Sequence, residues 1–132
     1  MADRGFLPHG GTLEVEVKEL FCSITVGSSG AVTASSGKGI DSVTKESTAG
    51  QYTIALSDSY NALLDAGVMV LDDTDSDPTT VAVVGRIKSE AVSNATPTVV
   101  VQGYNHTDGS AADFASGAKV LVRLVLRNSS VS

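Results

Sequence analysis

The chain has no tryptophan, one cysteine and two histidines. It also has no apolar run long enough to cross a bilayer as a helix. Each shortage closes off a class of protein. A single cysteine, Cys22, cannot form an intramolecular disulfide, so the fold does not rest on bridges. A cysteine-rich zinc site is excluded for the same reason. Basic residues are scarce: nine Lys and Arg stand against fifteen Asp and Glu, giving a net charge of −6. Nucleic-acid binding calls for the reverse balance, because phosphates attract cations, and an anionic membrane surface is disfavoured likewise. The opening residues, MADRGFLPHGG, lack the apolar core of a secretory signal. This predicts synthesis in a reducing cytoplasm with no export through a cleaved leader.

What is present points to strands. Valine and threonine, both branched at Cβ, favour a pleated backbone, and thirteen glycines mark turns. At 132 residues the chain is long enough for one core and short for two. Residues 1–12 read as an extended arm, punctuated by Gly5, Pro8, Gly10 and Gly11, with Phe6 and Leu7 as apolar residues in search of a surface. Residues 13–132 read as one β-sandwich domain. In TLEVEVKEL, Leu13, Val15 and Val17 alternate with charged neighbours, and FCSITVG follows with Cys22, Ile24 and Val26 in phase. SSGAVTASSGKG suggests a loop or weak strand, IDSVTKES an edge strand. In GQYTIALSD, Tyr52, Ile54 and Leu56 share a face.

SYNALLDAG suggests one helical turn, because Tyr60, Leu63 and Leu64 stack at helical spacing. GVMVLDD reads as a short buried strand. Next comes TTVAVVGRIKSEAV, in which Gly85 marks a bulge or a close backbone approach. PTVVVQGYN is apolar on both faces and therefore central, and HTDGSAADFASGA is a long loop. In the closing AKVLVRLVLRNSS, Val120, Val122, Leu124 and Leu126 face one way. Leu121 and Val125 interrupt the opposite, basic face, so something covers that face in part. About eight strands at such spacings predict an all-β, single antiparallel sandwich, jelly-roll-like in its strand count.

Catalytic chemistry finds little support. His9 lies in the glycine-rich arm, and His106 lies in NHTDGS, a run of bend-forming residues. Cys22 alternates in phase with Ile24 and Val26, which makes it core packing and not a reactive thiol. SSGKG lacks the spacing and the Ser or Thr after Lys that a phosphate loop needs. The sequons at Asn94, Asn105 and Asn128 read as turn and tail chemistry. The expectation is no enzyme and no cofactor.

The stretch LDDTDSDPTT raises a metal question, with Asp72, Asp73, Asp75 and Asp77 packed together. An EF-hand register starting at Asp73 puts Pro78 where glycine must turn the loop and Val84 where a bidentate glutamate must close it. That reading fails. Asp73, Asp75 and Asp77 remain the candidates for a looser calcium site, and the plain acidic turn between strands is the preferred reading.

The run GQYTIALSDSYNALLDAGVMVL, with the closing strand VLVRLVLRNSS, resembles small virion proteins of tailed bacteriophages, in particular capsid cement or decoration proteins. The likeness spans most of residues 12–130 and lies in strand patterns. It implies a homotrimer on the outer capsid surface of a virion, bound to the major capsid protein and clamping its subunits, with no activity. Phe6, Leu7 and Pro8 are then the candidates for a capsid-binding arm. Leu121, Arg123 and Val125 are candidates for the interface between copies, with cover from within the same chain as the competing explanation. The alternative function is a tail-fibre or host-receptor module that binds carbohydrate, which the shortage of aromatics disfavours. For the acidic turn, the expected outcome of adding a chelator is an unchanged melting temperature; a drop of many degrees would show bound calcium instead.

Overall fold

The computed structural model describes residues 16–71 and 83–128. Eight strands form there: β1 (Val17–Val26), β2 (Val32–Ser36), β3 (Ile40–Lys45), β4 (Gln51–Leu56), β5 (Ala62–Leu71), β6 (Val83–Ala91), β7 (Thr98–Asn105) and β8 (Lys119–Arg127). They make two four-stranded sheets, in the orders β2-β1-β8-β5 and β3-β4-β7-β6, and every ladder is antiparallel. The sheets pack as a sandwich, with β5 lying over β6 and β2 over β3. Among the described residues there is no α-helix, only a 3-10 turn at Ser28–Gly30.

The pleat explains the core. On β8, Val120, Val122, Leu124 and Leu126 are all buried. β1 contributes Cys22, Ile24 and Val26 from beside them, and β4 and β7 contribute Tyr52, Ile54, Leu56, Val99 and Val101 from the facing sheet. Burying aliphatic side chains of this size contributes roughly 1.5–3 kcal/mol each, before chain entropy is set against it. The loop after β7 adds a plug. Phe114, only 3% exposed, packs its ring 6.0 Å from that of Tyr52. The Tyr52 hydroxyl donates to the Gly30 carbonyl at 2.6 Å, which satisfies the one polar atom this ring carries into the core.

Several expectations need correction. The end of TLEVEVKEL and the whole of FCSITV form one strand, β1, which begins at Val17 after a turn at Glu16; residues 12–15 lie outside the described residues. SYNALLDAG does not turn as a helix. From Ala62 it is strand, paired with β8 along its length, and a register shift between Leu63 and Asp65 absorbs one residue. That bulge breaks the period of two and mimics helical spacing. Tyr60 is buried just ahead of the strand, whereas Leu64 points outwards. GVMVL is not a buried strand either: Gly67, Met69 and Leu71 lie on its exposed side.

Gly85 is a site of close approach, as expected. A Cβ there would lie 2.5 Å from Val68 of the opposite sheet, and Gly103, its partner across the β6–β7 ladder, leaves room for the Phe114 ring. The bulge in β6 is elsewhere, between Ile87 and Ser89. A sterner constraint acts at Gly50, where φ is +70° and a Cβ would run into the Ala112 carbonyl. Gly67 is the opposite case, since a Cβ there meets nothing within 4 Å. Gly50→Ala is therefore expected to cost at least about 2 kcal/mol in urea denaturation, and Gly67→Ala to stay within about 0.5 kcal/mol of the parent. Equal effects would contradict this reading of the two positions.

Candidate functional site

The outer face of the β2-β1-β8-β5 sheet carries the feature that most departs from an ordinary surface. Four large apolar side chains stand on it: Phe21 (59% exposed), Met69 (70%), Leu71 (56%) and Leu121 (38%). The register places them in adjoining rows. Ser23, Leu121 and Met69 lie side by side across β1, β8 and β5, and Phe21, Arg123 and Gly67 form the next row. Between them is a groove of about 520 Å³. It exists because position 67 has no side chain: the backbone of Gly67 forms part of its lining, with Phe21 and Met69 above.

A charged row closes one end. Arg123 donates to Glu19 through both Nε (3.1 Å) and Nη2 (2.6 Å), and its Nη1 lies 3.5 Å from Asp65. The three residues come from β1, β8 and β5, so the ion pairs tie the strands across the face. All three side chains are well exposed, and such pairs contribute only about 0.2–1 kcal/mol each. Val125 is half-buried between Glu19 and Asp65, its neighbours in the ladder. At the other end, Lys119 faces Leu71 across the β5–β8 ladder.

Of the residues singled out by sequence, Leu121, Arg123 and Val125 thus fall together on this face. Phe6, Leu7 and Pro8 lie outside the described residues, as do Asp73, Asp75 and Asp77. Phase puts Phe21, with Ser23 and Thr25, on the face opposite Cys22, Ile24 and Val26, and the structure agrees. Met69 is the surface residue that the sequence hides, because GVMVL reads as a uniformly buried strand.

Several other reactive side chains among the described residues make internal contacts. Cys22 is buried, and burial pushes its thiol from 9.0 up to about 11. Burial, with the Asp113 carboxylate as a lesser cause, raises Tyr52 to about 12. Asp113 accepts from the Gly50 backbone N–H at 2.6 Å and lies 3.5 Å from the Lys45 ammonium, which pins the plugging loop to the β3–β4 hairpin. Around His106, Asn105 and Asp108 accept from Thr107 and Ser110 in successive Asx turns. The Ser110 backbone N–H, then its hydroxyl, hold the Asp108 carboxyl below its usual range. Among the described residues, no three His, Cys, Asp or Glu side chains gather as metal ligands. On the outer face of the other sheet, Val84 is exposed beside polar contacts: Lys88 reaches Gln51 at 3.0 Å and Arg86 stacks over the Tyr104 ring at 5.6 Å.

The chain matches no family model, no curated protein and no solved structure.

The buried acids set an alkaline limit. The native Cys22 thiol keeps its proton to higher pH than the unfolded one, so stability is full below about pH 9, falls as pH rises, and levels off near 11 for this group. The loss over that window is about 2–3 kcal/mol for a shift of this size, and Tyr52 extends the decline towards pH 12. Urea midpoints measured from pH 8 to 11 should fall steeply in the parent and less steeply in Cys22→Ala; parallel curves would refute the assignment.

Proposed function

We propose that this chain is a virion structural protein that decorates the outside of a bacteriophage capsid and stabilises the shell, acting as a trimer of copies seated on the major capsid protein. The observation that carries the reading is the apolar outer face of the β2-β1-β8-β5 sheet, built from Phe21, Met69, Leu71 and Leu121 and bordered by the Glu19–Arg123–Asp65 ion pairs. Exposed apolar ground with a charged border is the make-up of a contact surface. A catalytic role has no comparable support: the one thiol is sealed in the core, and the hydrogen bonds around His106 serve the turn itself. In this reading Leu121 and Val125 give the centre of the contact between copies and Arg123 its polar edge. Residues Phe6, Leu7 and Pro8 provide the grip on the shell.

The acidity fits a protein displayed in many copies, since like charges keep free chains apart in solution. The fold also suits mechanical service. Its first described strand and its last are paired over nine positions, so a pull on either end is resisted by a full ladder of hydrogen bonds. The competing function, a carbohydrate-binding module, needs flat exposed rings. Among the described residues Tyr52, Tyr60 and Phe114 are buried, which leaves Phe21 and the half-buried Tyr104.

The test is co-sedimentation with empty capsids assembled from the major capsid protein encoded in the same genome. The full chain should pellet with the shells, and a variant lacking residues 2–11 should lose at least about tenfold in affinity, the scale of one or two buried apolar anchors. Unchanged occupancy of the deletion variant would remove the arm from the account, and no binding by the full chain would overturn the function.

A further inference from the structure

We propose that two copies of this chain pair edge to edge through β5, antiparallel about a two-fold axis at Val68, with Met69 of each copy seated over Gly67 of the other. A two-fold pair cannot close a trimer, so this is a second contact, and it stands without the capsid reading.

A sheet edge presents unpaired N–H and C=O groups, and proteins blunt such edges with charge, bulges or shortness. Three edges of this sandwich are blunted. β2 runs only from Val32 to Ser36. β3 carries Asp41 and Lys45, with an irregularity after Ile40. β6 carries Arg86, Lys88 and Glu90, with a bulge between Ile87 and Ser89. β5 is the exception. Its bulge and its one charged residue, Asp65, lie in its first half, and residues 66–71 continue in regular pairing with no charge and no proline.

Hydrogen-bonded pairs alternate along an antiparallel ladder, so a few bonds fix which backbone groups of β5 face outwards. The Val26 N–H donates to the Ala118 carbonyl at 2.9 Å, and the Asn128 N–H donates to that of Glu16 at 3.0 Å. The even-numbered residues of β8 therefore bond to β1. The Arg127 carbonyl instead accepts from the Asn61 N–H at 2.9 Å, on the β5 side. The odd-numbered residues of β8 thus bond to β5, where they meet Asp65, Gly67, Met69 and Leu71. The N–H and C=O groups of Ala66, Val68 and Val70 are left pointing away from the sheet, and among the described strands β5 pairs with β8 alone.

Side chains then choose the register. Only registers that set Ala66, Val68 and Val70 against one another can form bonds. With the axis at Val68, this residue pairs with its own copy, and Ala66 pairs with Val70. Gly67 then faces Met69 in a non-hydrogen-bonded pair, the kind in which side chains come closest. Met69 is 70% exposed, and a Cβ on Gly67 would meet nothing within 4 Å, so one strand offers both a knob and an empty seat. Phe21 and Leu121 wall that seat. An axis at Gly67 would waste it, setting glycine against glycine and Met69 against Asp65. An axis at Met69 would leave only residues 67–71 paired. The axis at Val68 uses residues 65–71 and stops short of the bulge. It also puts the two Asp65 carboxylates at opposite ends, about 20 Å apart and beyond the reach of screened repulsion at physiological salt.

The contact is small. Residues 65–71 span about 23 Å, and two sheets about 10 Å apart with their outer side chains make the edge about 20 Å deep. That is on the order of 450 Å² per copy, against about 800 Å² in a stable complex. The net charge of −6 on each chain opposes pairing further, and salt relieves it. The pair therefore fills at about 0.1–1 mM and is sparse in dilute solution. On the capsid reading, trimers held side by side on a shell supply such a concentration, and β5 would join one to the next.

The test is amide exchange followed by NMR on the full chain at about 20 µM and about 1 mM, in 0.15 M salt. Exchange at Ala66, Val68 and Val70 should slow several-fold at the higher concentration, while Gly67, Met69 and Leu71, already bonded to β8, should not change. Gly67→Leu, which fills the seat, should remove the effect with the melting temperature within a few degrees of the parent. Exchanging knob and seat in the double variant Gly67→Met, Met69→Gly should restore it. Rates at the three outward amides that ignore concentration would overturn the proposal. So would slowing that survives Gly67→Leu, which would place the contact elsewhere, or a double variant that stays unpaired, which would refute the register. None of these outcomes involves capsids, so failure here and failure of the capsid reading are separable.

Discussion

Strand β8 pairs with β1 on one side and β5 on the other, and a pleated strand held on both edges can send its side chains only up or down. Everything distinctive about the molecule follows from how that alternation is spent. Downwards go Val120, Val122, Leu124 and Leu126, all buried, and they meet the facing sheet as one continuous core. Upwards go Lys119, Leu121, Arg123, Val125 and Arg127, which hold the centre of the outer face. A one-residue slip would exchange the two sets, putting Arg123 into the core, so the register is set by the cost of burying charge as well as by the gain from burying aliphatics. The outer face cannot be altered independently of the strand that anchors the sheet.

The groove is therefore a product of neighbours more than of β8 itself. Phe21 on β1 and Met69 on β5 stand one row apart, and the absent side chain at Gly67 opens the space between them. Most of the described glycines are held to their positions by turns or by near contacts, as Gly50 and Gly85 are. Gly67 is not, for its missing Cβ would meet nothing. A strand glycine with empty space above it weakens the sheet for no packing return, so the space itself is the notable feature.

How much of this was legible in the sequence depends on which residues are asked. β4 and β8 were plain, because their inward residues alternate without interruption. The anomaly of Leu121 and Val125 on a basic face was visible too, and they lie where the apolar ground lies. β5 was misread in both halves for one reason. The bulge between Leu63 and Asp65 inserts a residue, so the sequence period breaks where the ladder does not. Past the bulge, GVMVL looks uniformly apolar, and composition alone does not say that Met69 and Leu71 face out. The plug residue Phe114 sits in a polar loop of serines, alanines and aspartates; only the tertiary contact with Tyr52 reveals it as core. The strand order, 2-1-8-5 over 3-4-7-6, depends on which long-range edges meet, and no local pattern encodes that.

The proposed contact between copies rests on the apolar outer face of the β2-β1-β8-β5 sheet. Met69 reports on this directly, being the most exposed large apolar residue of the face and, with Met1, one of only two methionines. Peroxide converts an accessible methionine to its sulfoxide, and the peptide containing residue 69 can be followed by mass. The proposed contact predicts that Met69, exposed in the single chain, is oxidised several-fold more slowly in protein bound to shells than in the free chain. Equal rates in the shell-bound and the free protein would contradict it.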